Sequence, residues 1–311
     1  MEERPLGATG ISVSRLILGC GNFGGIGSAP EFFGQGESEA EAFTVMDAAW
    51  EAGITTFDTA DAYGGGRSET AIGKWIASRG VRPKLTTKTF NPMGVGEDQG
   101  LAPARIRRQL DSSLGRLGVD RVELYLTHAP DPDTPLEDTL GALEELRSEG
   151  LIGALGGSNV DGDVLRAAGG RYAWVQNAYS LLDREAEAEV LPLCRAQGLG
   201  FTPFSPLAGG WLTGKYRRDL PPPAGSRMTL RSGPYEHLQT DAVYDGLEAF
   251  GRAAAERGVD SATLAFAWLL SSPDVTAVVV GPRRPAHLEP PLRALELELT
   301  EADRAGLAAL L

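Results

Sequence analysis

A closed (β/α)8 barrel of the α/β class is the fold this sequence predicts, and three observations predict it. Eight short runs rich in β-branched and aromatic residues recur along the chain. Helix-patterned stretches with their own start and stop signals separate them, as parallel strands joined by crossover helices require. The 311 residues, 42% of them hydrophobic, leave room for eight such units and a full core. An open doubly wound sheet would instead need a Gly-x-Gly-x-x-Gly turn followed by a second strand, with an acidic residue about 20 positions on. Gly19-Cys20-Gly21-Asn22-Phe23-Gly24 fits the letters, but residues 38–53 read as a helix, so a tight turn at a barrel rim is the better reading.

After a short N-terminal segment, strands are expected at 16–19, 55–58, 85–88, 122–128, 152–155, 174–176, 200–204 and 276–280. Ser38 and Glu41 form an S-x-x-E capping box ahead of Phe43, Met46 and Trp50, and Gly53 supplies the stop. Thr134, Pro135 and Glu137 read as an N-cap, a first-position proline and a box partner before Leu140, Leu143 and Leu146, with Gly150 ending the helix. Over 102–117, Ile106, Leu110, Leu114 and Leu117 make one apolar stripe, with Arg105, Arg107, Arg108 and Asp111 mostly off it. Pro192 calls for a late start or a kink in the helix after Asp183. Residues 208–240 show no period and contain Pro221-Pro222-Pro223. They predict a long loop after the seventh strand, on the face where barrels keep their active sites.

Composition narrows the function. Lys and Arg total 29 against 42 Asp and Glu, and a net charge of -13 argues against nucleic acid or an anionic membrane as a partner. An anionic ligand must therefore meet a local cationic cluster. Two distant cysteines, Cys20 and Cys194, and the opening Met-Glu-Glu-Arg-Pro predict a cytoplasmic protein with no secretory leader. No stretch approaches the roughly 18 apolar residues of a membrane helix. His128, His237 and His287 occur without CxxC or HExxH spacing, so no metal site is expected.

In a barrel, catalytic groups stand at the C-terminal ends of strands. Asp58 ends the second expected strand, Lys88 the third and His128 the fourth, and Tyr63 follows on the loop after the second. Together they form an acid–base set. A phenol near pKa 10 is a poor donor at neutral pH, but a neighbouring Lys⁺ stabilises phenolate and lowers that pKa, while the carboxylate holds the lysine. His128 is placed to hydrogen-bond a substrate oxygen as charge develops there.

The run Asp58-Thr59-Ala60-Asp61-Ala62-Tyr63-Gly64, then Lys88, then Leu124-Tyr125-Leu126-Thr127-His128-Ala129-Pro130, has the order and spacing of a known catalytic tetrad. By these residues the sequence resembles the aldo-keto reductases over nearly its whole length, a likeness that implies one barrel domain spanning 1–311. Gly153-Ala154-Leu155-Gly156-Gly157-Ser158-Asn159 is similar to the segment whose Ser and Asn hold the nicotinamide carboxamide, and Gln176 matches a residue that contacts the same amide. Asn and Gln carry both the donor and the acceptor an amide needs, although Ser158-Asn159 also reads as a helix cap. The resemblance makes Phe204 the ring that stacks on nicotinamide, with the backbone of Ser205, Leu207 and Gly209 meeting the pyrophosphate and Lys215 folding over it.

Gly281-Pro282-Arg283-Arg284-Pro285 resembles the adenosine-phosphate segment, in which Arg283 would pair with a 2′-phosphate through its bidentate fork. His287 stands where the family has Gln, and Pro290 and Pro291 replace two adenine-side polar residues. These matches imply NADPH as the cofactor, ahead of NADH. Segments 128–135 and 206–216 look most like the branch with aflatoxin-aldehyde reductases and many bacterial oxidoreductases. The resemblance thus implies reduction of a small aldehyde or ketone, with Tyr63 as proton donor. Two alternatives are reduction of an activated C=C bond or nucleotide-sugar intermediate, and an NADPH-binding regulatory subunit such as those on potassium channels. Phe23, Phe32, Phe90, Pro130 and Trp211 would give the substrate pocket an apolar lining, although Phe32 also reads as packing.

Overall fold

The computed structural model describes residues 1–311. Each of the eight expected runs yields a strand, and the strands pair in parallel in chain order. An antiparallel hairpin, β1 (Glu3–Pro5) and β2 (Ser12–Ser14), comes first. The barrel strands follow as β3 (Leu16–Gly19), β4 (Thr56–Asp58), β5 (Lys84–Thr89), β6 (Val122–Thr127), β7 (Ile152–Ser158), β8 (Trp174–Gln176), β9 (Gly200–Phe201) and β10 (Val278–Val280). β10 pairs with β3, and two backbone bonds complete the seam between β9 and β10. Thr276 N–H donates to Phe201 O at 2.8 Å and Val279 N–H to Pro203 O at 3.0 Å.

Alternation along the strands divides the core in two. Ile17, Leu124, Leu126, Ala154, Trp174, Ala277 and Val279 fill the barrel interior, and Leu6 and Val13 from the hairpin complete that cluster. The alternate residues, among them Leu18, Phe57, Leu85, Tyr125 and Val175, face the helices in a larger cluster.

The helices between the strands are α1 (Glu39–Glu51), α2 (Arg67–Arg79), α3 (Pro103–Leu117), α4 (Leu136–Ser148), α5 (Gly162–Ala168) and α6 (Val190–Gln197). The Ser38–Glu41 capping box forms as expected, and Gly53 takes φ +83° after the last turn. The box expected at Thr134 does not. Pro135 is the cap, Thr134 bonds to Asp131, and Glu137 pairs with Arg171. Arg105 departs from its expected polar face: it is buried, donating to Thr89 Oγ1 and to the carbonyls of Asn91 and Gly100. Pro192 lies in the first turn of α6, where no N–H is needed, so the late start is the outcome.

The segment after β9 is less irregular than its sequence suggests. It holds single turns at Ala208–Thr213 and Gly233–Leu238 and a short α7 (Arg227–Leu230). Then α8 (Asp241–Glu256) and α9 (Ser261–Leu270) lead to β10, and α10 (Glu289–Ala294) and α11 (Glu301–Ala308) end the chain. Pro290 and Pro291 sit in the first turn of α10, a position that tolerates a missing N–H. No helix is long and apolar enough to cross a membrane.

Candidate active site

Asp58, Lys88 and Gln176 each sit at or next to the C-terminal end of an inward-facing strand register, which brings them together at one mouth of the barrel. Lys88 is fully buried. Its Nζ donates to Asp58 Oδ2 at 2.7 Å, to Thr59 O at 2.9 Å and to the Tyr63 hydroxyl at 3.3 Å. Gln176 Nε2 donates to the other carboxylate oxygen, Asp58 Oδ1, at 3.0 Å. The chain leaves Tyr63 through Gly64, Gly65 and Gly66, all at positive φ, and a Cβ on Gly64 would lie 2.8 Å from the backbone of Gly24. Only glycine fits that turn. His128, whose N–H bonds to Thr89 O, meets the Tyr63 ring edge-on at 5.4 Å between centroids.

The four groups bias one another's charge. Burial, the largest single influence on Lys88, opposes its charge, but Asp58 and Tyr63 together outweigh it and raise its pKa. Burial raises the Tyr63 phenol, and the opposing pull of Lys88 does not cancel it. Lys88 lowers the phenol as expected, but desolvation in the loop after β4 outweighs it and the net direction is upward. Burial and the Lys88 charge hold His128 well below its ordinary value, so its imidazole is neutral, with Nδ1 buried and unpartnered. A neutral phenol, a cation behind it and a neutral imidazole beside it can hand a proton to an oxygen and stabilise the phenolate left behind.

The expected cofactor residues ring the same mouth. Asn159 Nδ2 donates to His128 O at 2.8 Å and to Ser158 Oγ at 3.2 Å, so Ser158-Asn159 serves as a strand end and not as a helix cap. Gln176 spends a donor on Asp58, and no hydrogen bond within the chain engages its Oε1. Phe204 is partly exposed and packs on the barrel interior. Asn159, Ser205 and Ala208, the three non-glycine residues at positive φ, all lie in these segments. Such strain persists where surroundings over-determine it, typically at ligand sites. Leu207 accepts from Gly210 N–H, Gly209 O accepts from the Tyr216 hydroxyl, and Lys215 Nζ lies over the Tyr216 ring. Arg283 follows Gly281 past the end of β10, and its backbone N–H donates to His287 Nδ1 at 3.2 Å.

Two expected pocket residues are placed elsewhere. Phe23 and Trp211 are each 1% exposed and belong to the outer core, Trp211 between Tyr216 and Tyr244. Phe90 remains partly exposed at the rim. Three residues without a sequence signal join the site. Arg227 donates to Asn22 Oδ1 at 3.0 Å, and Glu37 receives Arg283 Nε. Their partners are about 200 positions away or more, beyond the reach of any motif.

Barrel, strand-end acid–base group and ringed mouth define a class of oxidoreductase, and the chain belongs to the aldo/keto reductase family, whose profile it matches over residues 15–311. It is 38% identical to the uncharacterized oxidoreductase YrpG of Bacillus subtilis, over 96% of this chain and 92% of that protein. Identity is 34% to an NADH-specific methylglyoxal reductase of Escherichia coli, over 97% and 96%. A probable voltage-gated potassium channel subunit beta of Oryza sativa is 32% identical, over 96% and 92%.

Proposed function

We propose that this protein reduces a small aldehyde or ketone to an alcohol, with a reduced nicotinamide dinucleotide as hydride donor. The observation that carries the reading is the contact of Lys88 Nζ with both Asp58 Oδ2 and the Tyr63 hydroxyl, beside a neutral His128. The residues fit a dinucleotide on two counts besides the resemblance. Three strained residues line the mouth, and Lys215 lies close enough to Arg227 and Arg283 for their charges to interact, a cationic cluster suited to phosphate.

Ser158, Asn159 and Gln176 would hold the carboxamide, Phe204 would stack on the ring, and Ser205, Leu207, Gly209, Lys215 and Arg227 would meet the phosphates. Gly281, Arg283 and His287 would hold the adenosine end. The bound cofactor supplies a hydride. His128 donates a hydrogen bond that orients the carbonyl oxygen, and Tyr63 passes its phenolic proton to that oxygen as negative charge builds there. Lys88 then stabilises the phenolate, and Asp58 keeps Lys88 in place. Phe90 on the rim would contact the substrate. We infer that the barrel acts as one unit over 1–311, in the cytoplasm, on a small-molecule partner.

The test is product identification. The purified protein, given a reactive aromatic aldehyde and reduced dinucleotide, should yield the alcohol by mass spectrometry. A reduced C=C bond with a surviving carbonyl in a conjugated substrate would favour the enoyl alternative. Tight dinucleotide binding without turnover would favour a regulatory subunit.

A further inference from the structure

Glu37 ends the long turn after β3, one residue before the cap of α1, and is 5% exposed. Its own helix does not need it, since Ser38 and Glu41 make the capping box. The carboxylate instead turns to the loop after the neighbouring strand β10, where Oε1 accepts from Arg283 Nε at 2.5 Å. The other oxygen, Oε2, is buried and has no hydrogen-bond partner. Arg283 is further committed, with Nη1 donating to Gly225 O at 2.7 Å. Lys215 and Arg227 lie close enough to Arg283 for their charges to interact, and Arg227 also feels Glu37. Glu37 N–H and Arg227 both bond to Asn22, which ties these groups to one groove.

We propose that Glu37 makes the adenosine end of this groove select NADH over NADPH. The inference rests on the dinucleotide reading above and concerns only its ribose 2′ position. An ionised carboxylate can only accept hydrogen bonds. A ribose 2′-hydroxyl offers the donor that the buried Oε2 lacks, whereas a 2′-phosphate offers mainly acceptors and brings like charge. An acidic side chain on the ribose hydroxyl is a general device for this choice. The expectation of NADPH counts the Arg283 guanidinium as free, but Glu37 already neutralises it. Lys215 and Arg227 answer the pyrophosphate, which both dinucleotides share.

Equilibrium titration with NADH and with NADPH, read by quenching of tryptophan fluorescence, tests this in the wild type and in Glu37→Gln. The wild type should bind NADH about tenfold or more tightly than NADPH. Glu37→Gln should gain about tenfold for NADPH while still binding NADH, which also shows that the variant is folded. Tighter binding of NADPH by the wild type, weakened in Glu37→Gln, would overturn this proposal and leave the dinucleotide reading intact. Failure of the wild type to bind either would overturn both.

Discussion

Tyr63 holds its proton because burial outweighs the adjacent ammonium, and His128 stays neutral because burial and Lys88 both disfavour imidazolium. The rate of carbonyl reduction should therefore be flat through neutral pH and fall only in the alkaline range as the phenol ionises. A pH–rate profile with an acid limb near 6.5 that vanishes in His128→Asn would contradict this assignment. Asp58→Asn strands a fully buried cation, a change that typically costs roughly 3–5 kcal/mol, and denaturant unfolding should register it. Asp58, Lys88 and His128 were legible in the sequence because a carboxylate, an ammonium and an imidazole recur together at the ends of three consecutive strands. Gln176 on Asp58 and Glu37 on Arg283 were not, since they join positions 118 and 246 apart.

Behind β4 and β5 a second polar layer separates the barrel from α2 and α3. Asp61 is completely buried there and faces Glu69 of α2, Arg105 of α3 and Tyr125 of β6, while Arg116 pairs with Glu69. Burial first, then Glu69, pushes the Asp61 carboxyl up to about 7. An unfolded chain releases this proton near pH 4 while the folded one keeps it, so the native state binds more protons between those values. The Asp61 contribution thus makes stability fall as pH rises from about 4 to about 7. Thermal melts across that window should show a shallower decline in Asp61→Asn. Ser38→Ala should cost about 1 kcal/mol through the lost cap of α1. That cap was readable because its partners are three residues apart. Thr134 and Glu137 offered the same local pattern, but Asp131 engages Thr134 and Arg171 engages Glu137, and such competition is settled in three dimensions.

Closure of the barrel gathers residues from the whole chain at one mouth. The eight strands were readable in number and order, and β3 and β8 in their bounds as well, but the strands at the seam were not readable in length. The runs at 200–204 and 276–280 yield only Gly200–Phe201 and Val278–Val280 as strand, and they meet through two backbone bonds, Thr276 N–H to Phe201 O and Val279 N–H to Pro203 O. The core positions of Phe23 and Trp211 were also hidden, since an aromatic in a loop reads alike as pocket lining and as packing. The central claim is that this mouth delivers a proton from Tyr63 to a carbonyl while a dinucleotide is held beside it. Its most direct test is single-turnover oxidation of bound NADH or NADPH by a reactive aromatic aldehyde, in wild type and Tyr63→Phe, with dinucleotide affinity measured on the same samples. The account predicts unchanged affinity and a rate lower by about 10²–10⁴-fold in the variant, whereas an unchanged rate would contradict it.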